Sequence, residues 1–259
     1  MRKITLIIIT TAISFNCFSQ SNKENRKEEK RLRIEKIMQQ EEEGVIVFRK
    51  SFAVAPKITN DGYGVFFEWG RAASLKKAWL FQIDISERKH IKEEKIRQFY
   101  NSGKYIFGKE NFFYPLKIGV QQQLLLGNKG NKNGVQVTAN YGGGVSLALL
   151  RPYYVQVAGG GSSLKYIKYN SADSLEFLTG QIYNGPGLTK GWNELTITPG
   201  VYAKTSLRFD YGSYNEMVSA LEVGITAEYY SKKIPQMVYN EPKQFFFGAY
   251  FALVFGKRK

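Results

Sequence analysis

The chain has 259 residues and a basic excess, with 37 lysines and arginines against 22 aspartates and glutamates. A formal net charge of +15 suits anionic lipid, polyanionic glycan or nucleic acid as a partner. The only cysteine, Cys17, lies in an N-terminal segment with the features of an export signal, so we expect no disulfide bond in the exported chain. Export also argues against nucleic acid as a partner.

The first predicted element is a cleaved signal peptide at residues 1–19. Two basic residues precede the apolar stretch Ile4–Phe15. At about 12 residues, this stretch is shorter than the roughly 20 that a membrane-spanning helix needs. We expect cleavage after Ser19. The alternative, a lipid anchor on Cys17, is disfavoured because Asn16 is a poor neighbour for such a site.

Residues 20–43 are predicted to form a charged tail or helix. Acidic and basic residues balance there, and good helix formers dominate. Leu32 and Ile34 belong to a thin apolar stripe that could bind a partner weakly. A solvated spacer is the simpler interpretation.

Beyond Gly44 apolar residues recur at every second position, which is the period of half-buried strands. The eight predicted strands have approximate limits 46–56, 62–71, 77–87, 113–126, 134–150, 193–209, 215–230 and 244–257.

The alternation divides each strand into an apolar and a polar face. In the last strand Phe247, Phe251 and Leu253 lie on one face, and Gly248 and Tyr250 lie on the other. The period does not say which face is outside, because a soluble lipocalin-like barrel also alternates, with its apolar face inside.

Three features favour an apolar exterior. Glycines such as Gly119 and Gly224 fall on the polar face, where a narrow barrel interior is crowded. Large aromatic residues such as Trp69 and Tyr229 lie near the ends of the apolar face, as interfacial girdles do. The connections alternate in length, as they do in membrane barrels.

The short connections would be 72–76, 127–133 and 210–214, and the long ones 88–112, 151–192 and 231–243. A fourth connection on the long side, 57–61, is a tight hairpin built on Asn60-Asp61-Gly62.

We therefore predict an all-β fold, an eight-stranded antiparallel transmembrane β-barrel over residues 44–259, in the cell outer membrane. An even strand number lets both chain ends share one side, and we expect this to be the periplasmic side, together with the 20–43 segment and the short turns. The expected partners are outer-membrane lipid and lipopolysaccharide, whose phosphates suit a basic loop surface. A protein partner could bind through the long loops or the N-terminal helix.

Several motifs carry a resemblance to known proteins. They are Thr59-Asn60-Asp61-Gly62-Tyr63-Gly64, Lys89-His90-Ile91-Lys92-Glu93, Arg151-Pro152-Tyr153-Tyr154, Pro199-Gly200, Leu221-Glu222-Val223-Gly224-Ile225, Lys233-Ile234-Pro235-Gln236-Met237 and Phe255-Gly256-Lys257-Arg258-Lys259. From about Arg49 onward the chain resembles an uncharacterised family of outer-membrane barrels from Bacteroidota-type bacteria. The resemblance implies the barrel and brings no activity with it. Ile91 stands where the pattern usually has proline, and Arg151 where it usually has lysine.

A barrel of this size has room inside for side chains and not for an aqueous channel. The predicted polar interior network consists of Arg49, Glu68, Asp84, Lys117, Lys204, Arg208, Glu216, Glu222 and Glu228. Opposite charges in so narrow a space must pair, because an unpaired buried ion costs several kcal/mol. A structural plug of ion pairs is therefore favoured over a proton or ion relay.

Two alternative functions are a soluble lipocalin-like carrier and a lipid-modifying enzyme, either an acyl hydrolase or an acyltransferase. Ser86 and the only histidine, His90, are weak catalytic candidates beside Glu87. On a strand, however, Ser86 should point inside and Glu87 outside, so no catalytic residue is assigned.

No metal or cofactor site is predicted, since the exported chain lacks cysteine and any pair of histidines. The long loop Arg151–Trp192 is rich in tyrosine and lysine. It would be either a surface for a partner or a lid over the barrel mouth.

Overall fold

The computed structural model describes residues 28–29, 31–32, 49–100, 102–129, 134–158, 163–170, 172–187, 189–212 and 217–259. The predicted signal peptide at 1–19 lies outside the described residues, as does most of the charged segment 20–43. Within that segment Glu28, Glu29, Arg31 and Leu32 are helical.

In chain order the described residues form β1 (Lys50–Thr59), β2 (Gly62–Ala72), β3 (Lys77–Arg88), β4 (Lys95–Ile96), β5 (Tyr105–Ile106), β6 (Asn111–Gly127), β7 (Gln136–Pro152), β8 (Tyr154–Ala158), β9 (Leu164–Lys168), α1 (Ser174–Thr179), β10 (Ile182–Asn184), a 3-10 turn (Trp192–Glu194), β11 (Thr196–Asp210), β12 (Met217–Ile234) and β13 (Lys243–Arg258).

Eight of these strands close into an antiparallel barrel in the order β1-β13-β12-β11-β7-β6-β3-β2, with β2 returning to β1. The predicted all-β barrel is confirmed, and each predicted strand has its counterpart. The largest shift is in β1, which was predicted at 46–56 and lies at 50–59. The turn at Asn60 and Asp61 has only two residues, so pairing with β2 continues from Pro56 up to Thr59.

The burial pattern shows which face is outside. On β13 the exposed fractions of Phe247 and Phe251 are 58% and 44%, whereas those of Glu222 on β12 and Lys204 on β11 are 0% and 4%. The apolar face therefore points away from the barrel axis and the charged face points inward. A lipocalin-like carrier needs the opposite arrangement, so that alternative is wrong.

The connections at the two ends of the barrel differ in length. At one end the strands are joined by residues 73–76, 128–135 and 211–216, and at the other by 89–110, 153–195 and 235–242. The two-residue hairpin 60–61 also lies at the second end. This is the alternation that the sequence predicted.

The three long connections fold against one another into a compact unit, which we call the cap. β8 lies between β9 and β10 in a three-stranded sheet, and β4 pairs with β5. The cap has an apolar core of its own, formed by Tyr105, Ile106, Tyr153, Val155, Val157, Ile167, Phe177, Ile182 and Met237.

Tyr153 joins two of the cap segments. Its hydroxyl accepts a hydrogen bond from the Ile106 N–H at 2.8 Å. Burial raises the pKa of Tyr153 to about 12, so this side chain stays neutral at physiological pH. A third segment is fixed by the Val238 N–H, which donates to the Gly108 carbonyl at 2.8 Å.

Within the described residues, no helix has the length and apolar character needed to cross a membrane.

A close approach of β6 and β7 depends on glycine. A Cβ atom on Gly144 would lie 2.2 Å from the Ile118 carbonyl oxygen and 2.5 Å from the Gly119 Cα. Since both neighbours are backbone atoms, no side-chain rotation can relieve the clash. The two strands would have to separate.

We expect Gly144→Ala to lower the free energy of unfolding by about 1–3 kcal/mol, because the added methyl group overpacks the strand pair. Gly127→Ala is the matched control, since a Cβ there meets nothing within 4 Å. The measurement is the unfolding midpoint of the purified protein in detergent micelles. Equal midpoints for the two variants would contradict the close approach.

Candidate functional site

The barrel interior holds a chain of buried ion pairs, and Arg208 on β11 is at its centre. Arg208 Nε donates to Glu222 Oε2 at 2.7 Å, and its Nη2 donates to Glu68 Oε2 at 2.6 Å. Lys204 Nζ lies 3.1 Å from Glu222 Oε1, which also accepts a hydrogen bond from the Tyr250 hydroxyl. The Glu222 carboxylate therefore pairs with two cations and accepts a hydrogen bond from one phenol.

A second group of pairs lies closer to the cap. Lys117 Nζ lies 2.6 Å from Glu228 Oε1, and Arg88 Nη2 lies 3.1 Å from the same oxygen. Arg88 Nε also pairs with Asp61 at 2.6 Å. Each ion in this group thus has a partner of opposite sign.

Several of these pairs cross the barrel, whereas the pairs of Arg208 and Lys204 with Glu222 join the neighbouring strands β11 and β12. Arg208 on β11 reaches Glu68 on β2, and Lys117 on β6 reaches Glu228 on β12. In neither pair are the two strands neighbours in the sheet. The side chains must therefore meet in the lumen, which they occupy.

The charges of this network balance. The buried cations are Lys57, Arg88, Lys117, Lys204 and Arg208, and the acids that face them are Asp61, Glu68, Asp84, Glu222 and Glu228. Balance matters in a confined space, because removal of one member leaves an uncompensated buried charge.

Amide side chains fill part of the remaining interior, beside buried apolar residues such as Phe66 and Val254. Gln121 donates to Gln82, Lys204 donates to Gln82 at 3.3 Å, and Asn140 donates to Glu222 at 3.3 Å. The arrangement is a polar plug, and it can brace the barrel wall from within.

Most of the predicted interior residues meet in this plug. Glu68, Asp84, Lys117, Lys204, Arg208, Glu222 and Glu228 are buried there. Arg49 is a correction: it precedes β1 and is exposed, because β1 begins one residue later than this position. Glu216 lies outside the described residues.

The sequence reasoning missed Lys57 and Arg88. Each lies just beyond the end of a predicted strand, and each continues the alternation of its strand. Lys57 follows Ala53 and Ala55 on the inward face, and Arg88 follows Ser86. Extending the period by one step would have found both.

The weak catalytic candidates Ser86 and His90 lie in different environments. Ser86 faces the interior and is buried, whereas His90 lies in the turn after β3. His90 Nδ1 accepts the Lys92 N–H at 3.2 Å, and Glu87 accepts the Tyr63 hydroxyl at 2.7 Å. Among the described residues, no hydrogen bond joins Ser86 to His90.

Metal binding finds no support in the part of the chain that the structure describes, where no group of three or more histidine, cysteine or acidic side chains has a suitable arrangement.

The cap presents a polar aromatic face on the side opposite its core. Lys190 Nζ lies 5.4 Å from the ring centre of Tyr154 and 5.2 Å from that of Tyr166. The Tyr154 hydroxyl donates to Glu194 at 2.7 Å, and Lys168 lies 2.5 Å from the same carboxylate. These five residues define what we call the tyrosine-lysine face.

The acid of this face is held in its charged form. Hydrogen bonds from Lys168 and Tyr154 lower the pKa of Glu194. Desolvation and the bond to Glu194 raise the pKa of Tyr154 to about 12. Glu194 is therefore charged and Tyr154 neutral at neutral pH.

Arg151 fastens the cap to the barrel. The guanidinium carbon lies 4.2 Å from the ring centre of Phe112, 4.9 Å from that of Trp192 and 5.7 Å from that of Tyr114. Phe112 and Tyr114 belong to β6, whereas Trp192 belongs to the connection before β11. A cation stacked among aromatic rings thus links a wall strand to the cap.

The chain matches no family model and no curated relative. Three solved structures are similar to it in fold. Neisserial surface protein A has 10% identity and a TM-score of 0.36, with 82% of this chain and 95% of that chain covered. The N-terminal β-barrel domain of Pseudomonas aeruginosa OprF has 7% identity and a TM-score of 0.34, with 80% and 96% covered. Ail of Yersinia pestis, solved with the heparin analogue sucrose octasulfate, has 10% identity and a TM-score of 0.34, with 81% and 96% covered.

The closed pairing of eight strands within this chain itself defines the barrel.

We expect Glu222→Gln to lower the free energy of unfolding by at least about 3 kcal/mol, because Lys204 loses its carboxylate partner inside the barrel. The measurement is urea unfolding in detergent micelles, followed by the fluorescence of the three tryptophans, two of which, Trp69 and Trp79, lie on the barrel wall.

Glu194→Gln is the matched control. It removes the same charge from the exposed pair with Lys168 and should cost less than about 1 kcal/mol. A loss for Glu222→Gln no larger than that of the control would show that the buried pairs do not brace the barrel.

Proposed function

We propose that this protein is an outer-membrane barrel, closed to ions by its plug, that acts as a structural and interaction protein through its cap. The observation that carries the proposal is the division of every strand into an apolar outer face and a charged inner face. Hydrocarbon can solvate the apolar outer face and cannot solvate the charged inner face.

The outer face is too apolar for a water-soluble barrel. Its exposed side chains come from all eight strands and include Phe52, Ile58, Tyr63, Trp69, Trp79, Phe81, Ile85, Ile118, Val120, Val145, Val201, Leu207, Val223, Ile225, Phe245, Phe247, Phe251, Leu253 and Phe255. A continuous belt of this kind far exceeds the few hundred Å² of apolar patch that soluble monomers expose. A membrane is the environment that fits it.

This placement in the outer membrane also predicts where the N-terminal segments and the connections lie. Residues 1–19 would be removed as a signal peptide during export, residues 20–43 would be a periplasmic segment, and residues 44–259 would form the barrel. The short connections would lie in the periplasm, and the cap would face the outside. Its basic loops would then lie among the phosphates of lipopolysaccharide.

The plug argues against transport. An ion entering the lumen would have to displace paired charges such as Arg208 and Glu222, each of which would be left buried without its partner. The function therefore resides in the surface of the protein rather than in a path through it.

The tyrosine-lysine face is the surface best suited to bind a partner. The core of the cap fixes its backbone, and Arg151 fixes the cap to the wall, so the face is presented rigidly. Tyrosine combines a large contact area with few rotatable bonds, and it is enriched in binding surfaces for that reason. A protein or a glycan could bind there.

Cysteine labelling tests the placement of the barrel. We expect a membrane-impermeant maleimide to label Tyr166→Cys on intact cells, and Ser74→Cys only after the outer membrane is permeabilised, because Ser74 lies in a short turn. Phe251→Cys should resist labelling until the protein is denatured. Ready labelling of Phe251→Cys by the same reagent in detergent-free buffer would contradict membrane insertion.

Site-specific crosslinking tests the face. A photoreactive amino acid at position 166 should give a discrete adduct in intact cells, and Lys190→Glu should abolish it. The same probe at Leu175, an exposed position of α1, is the control and should give none. Identical adducts at both positions would show that the face has no special role.

A further inference from the structure

At the end of the barrel that carries the cap, the wall is shorter at β1 than at the neighbouring β13. β1 ends at Thr59, opposite Tyr250 of β13, and the Asn60 N–H donates to the Ala249 carbonyl at 3.2 Å. β13 extends six residues further, to Lys243, which is roughly 20 Å along a strand. Among the described residues, that extension pairs with β12 alone. A notch therefore opens above Asn60 and Asp61.

The turn at residues 89–93 forms the other side of this notch. The Lys89 N–H donates to the Asp61 carbonyl at 2.6 Å, which fixes the turn above the hairpin. Lys243, at the end of β13, is close enough for its charge to lower the pKa of His90, so this end of the strand lies near the turn. We call residues 60–61, 89–93 and 243–247 together the notch.

Backbone groups of β13 face into the notch. Ala249 directs its carbonyl toward β1, and alternate residues of a strand direct their N–H and carbonyl groups to the same side. The backbone N–H and carbonyl groups of Phe247 and Phe245 therefore point into the notch, beyond the end of β1. An unpaired strand edge of this kind binds a ligand that can donate and accept hydrogen bonds.

Unpaired cations line the same opening. Among the described residues, Lys89, Lys92 and Lys243 have no ion-pair partner, whereas the nearby Lys109 is 2.7 Å from Glu93. Lys89 Nζ lies 5.1 Å from the ring centre of Tyr63, which places the ammonium on the outer surface of the wall. Burial and, next, the charge of Lys243 lower the pKa of His90, so this side chain is neutral at pH 7.

Three acids lie nearby. Asp61 pairs with Arg88 at 2.6 Å, and Glu93 pairs with Lys109 at 2.7 Å. Glu87, which accepts the Tyr63 hydroxyl at 2.7 Å, is the third and leaves the three lysines in excess.

The surface directly below these lysines is apolar. Ile58 and Phe247 point outward from the strands that border the notch, with exposed fractions of 69% and 58%. Ile91, in the turn between His90 and Lys92, is 95% exposed. A fully exposed isoleucine between two polar residues is stabilised if it contacts acyl chains. Cations above and apolar side chains below are the two halves of a lipid-binding surface.

We propose that the notch binds a phosphorylated glycolipid of the outer leaflet. Its phosphates contact Lys89, Lys92 and Lys243, its sugar hydroxyls and amides bond the free backbone groups of Phe245 and Phe247, and an acyl chain lies along Ile58. This inference rests on the proposed outer-membrane location. Three lysines and a strand edge suit several phosphates on a sugar headgroup better than the single phosphate of a phospholipid.

An extended peptide could also add to the β13 edge, but it would leave the lysines without partners unless it were acidic. The apolar surface below would also stay uncovered by it. A phosphorylated glycolipid would supply partners for the lysines and would also cover the apolar surface.

The test is native mass spectrometry of the purified mature protein in detergent, with diphosphoryl lipid A as the probe. We expect retained lipid A on the native protein and at least a tenfold lower bound fraction in Lys89→Gln/Lys243→Gln, since each lysine near a phosphate contributes measurably to binding. The matched control is Lys77→Gln/Lys257→Gln, which removes two exposed lysines at the opposite end of the barrel and should bind normally. Unfolding midpoints in micelles verify that all variants are folded.

Three results would overturn the proposal: equal binding by both double variants, equal binding of dephosphorylated lipid A, or equal binding of phosphatidylethanolamine. A polypeptide retained at the notch in protein purified from native membranes would favour strand addition instead and would also overturn it. Loss of selective lipid binding with the cysteine-labelling pattern intact would reject this site alone. Failure of that labelling pattern would reject the membrane placement itself.

Discussion

The confinement of charge inside a narrow closed sheet governs the rest of the structure. A barrel of eight strands leaves room only for side chains, so every inward residue must fit beside those of the opposite wall. The sequence supplies acids and bases that meet across the lumen, such as Arg208 with Glu68, instead of one apolar core. Because removal of either partner would leave a buried charge unpaired, the plug ties non-neighbouring strands together.

The period of two determined what could be predicted from the sequence. It gave the strand order along the chain, the division of faces and seven buried members of the plug, because each of these depends on local alternation. The ends of the strands depend on turn geometry and on the neighbouring strand, which the period does not contain. Lys57 and Arg88 were missed for that reason, and Arg49 was placed inside although it precedes β1.

The cap could not be predicted in the same way. Its strands have two to five residues, too few for a period to be recognised, and its core joins segments far apart in the chain, such as Ile106, Val155 and Met237. The tyrosines and lysines of Arg151–Trp192 suggested a surface or a lid. Only the three-dimensional fold shows which of them face the core, as Tyr153 does, and which face outward, as Tyr166 does.

The seam of the barrel, where β1 pairs with β13 and closes the sheet, is weak at two places along its length. Lys50 and Lys259 exchange both backbone hydrogen bonds, and counting alternate residues upward from this pair brings Pro56 opposite Leu253 at another hydrogen-bonding position. Proline has no N–H, so the Leu253 carbonyl receives no ladder bond there, and the pairing of β1 with β13 is interrupted between Val54 and Lys57. Above Asn60 the seam ends altogether. Hydrocarbon penalises unpaired backbone, so the polar ligand groups proposed for the notch would complete the barrel where its own ladder stops.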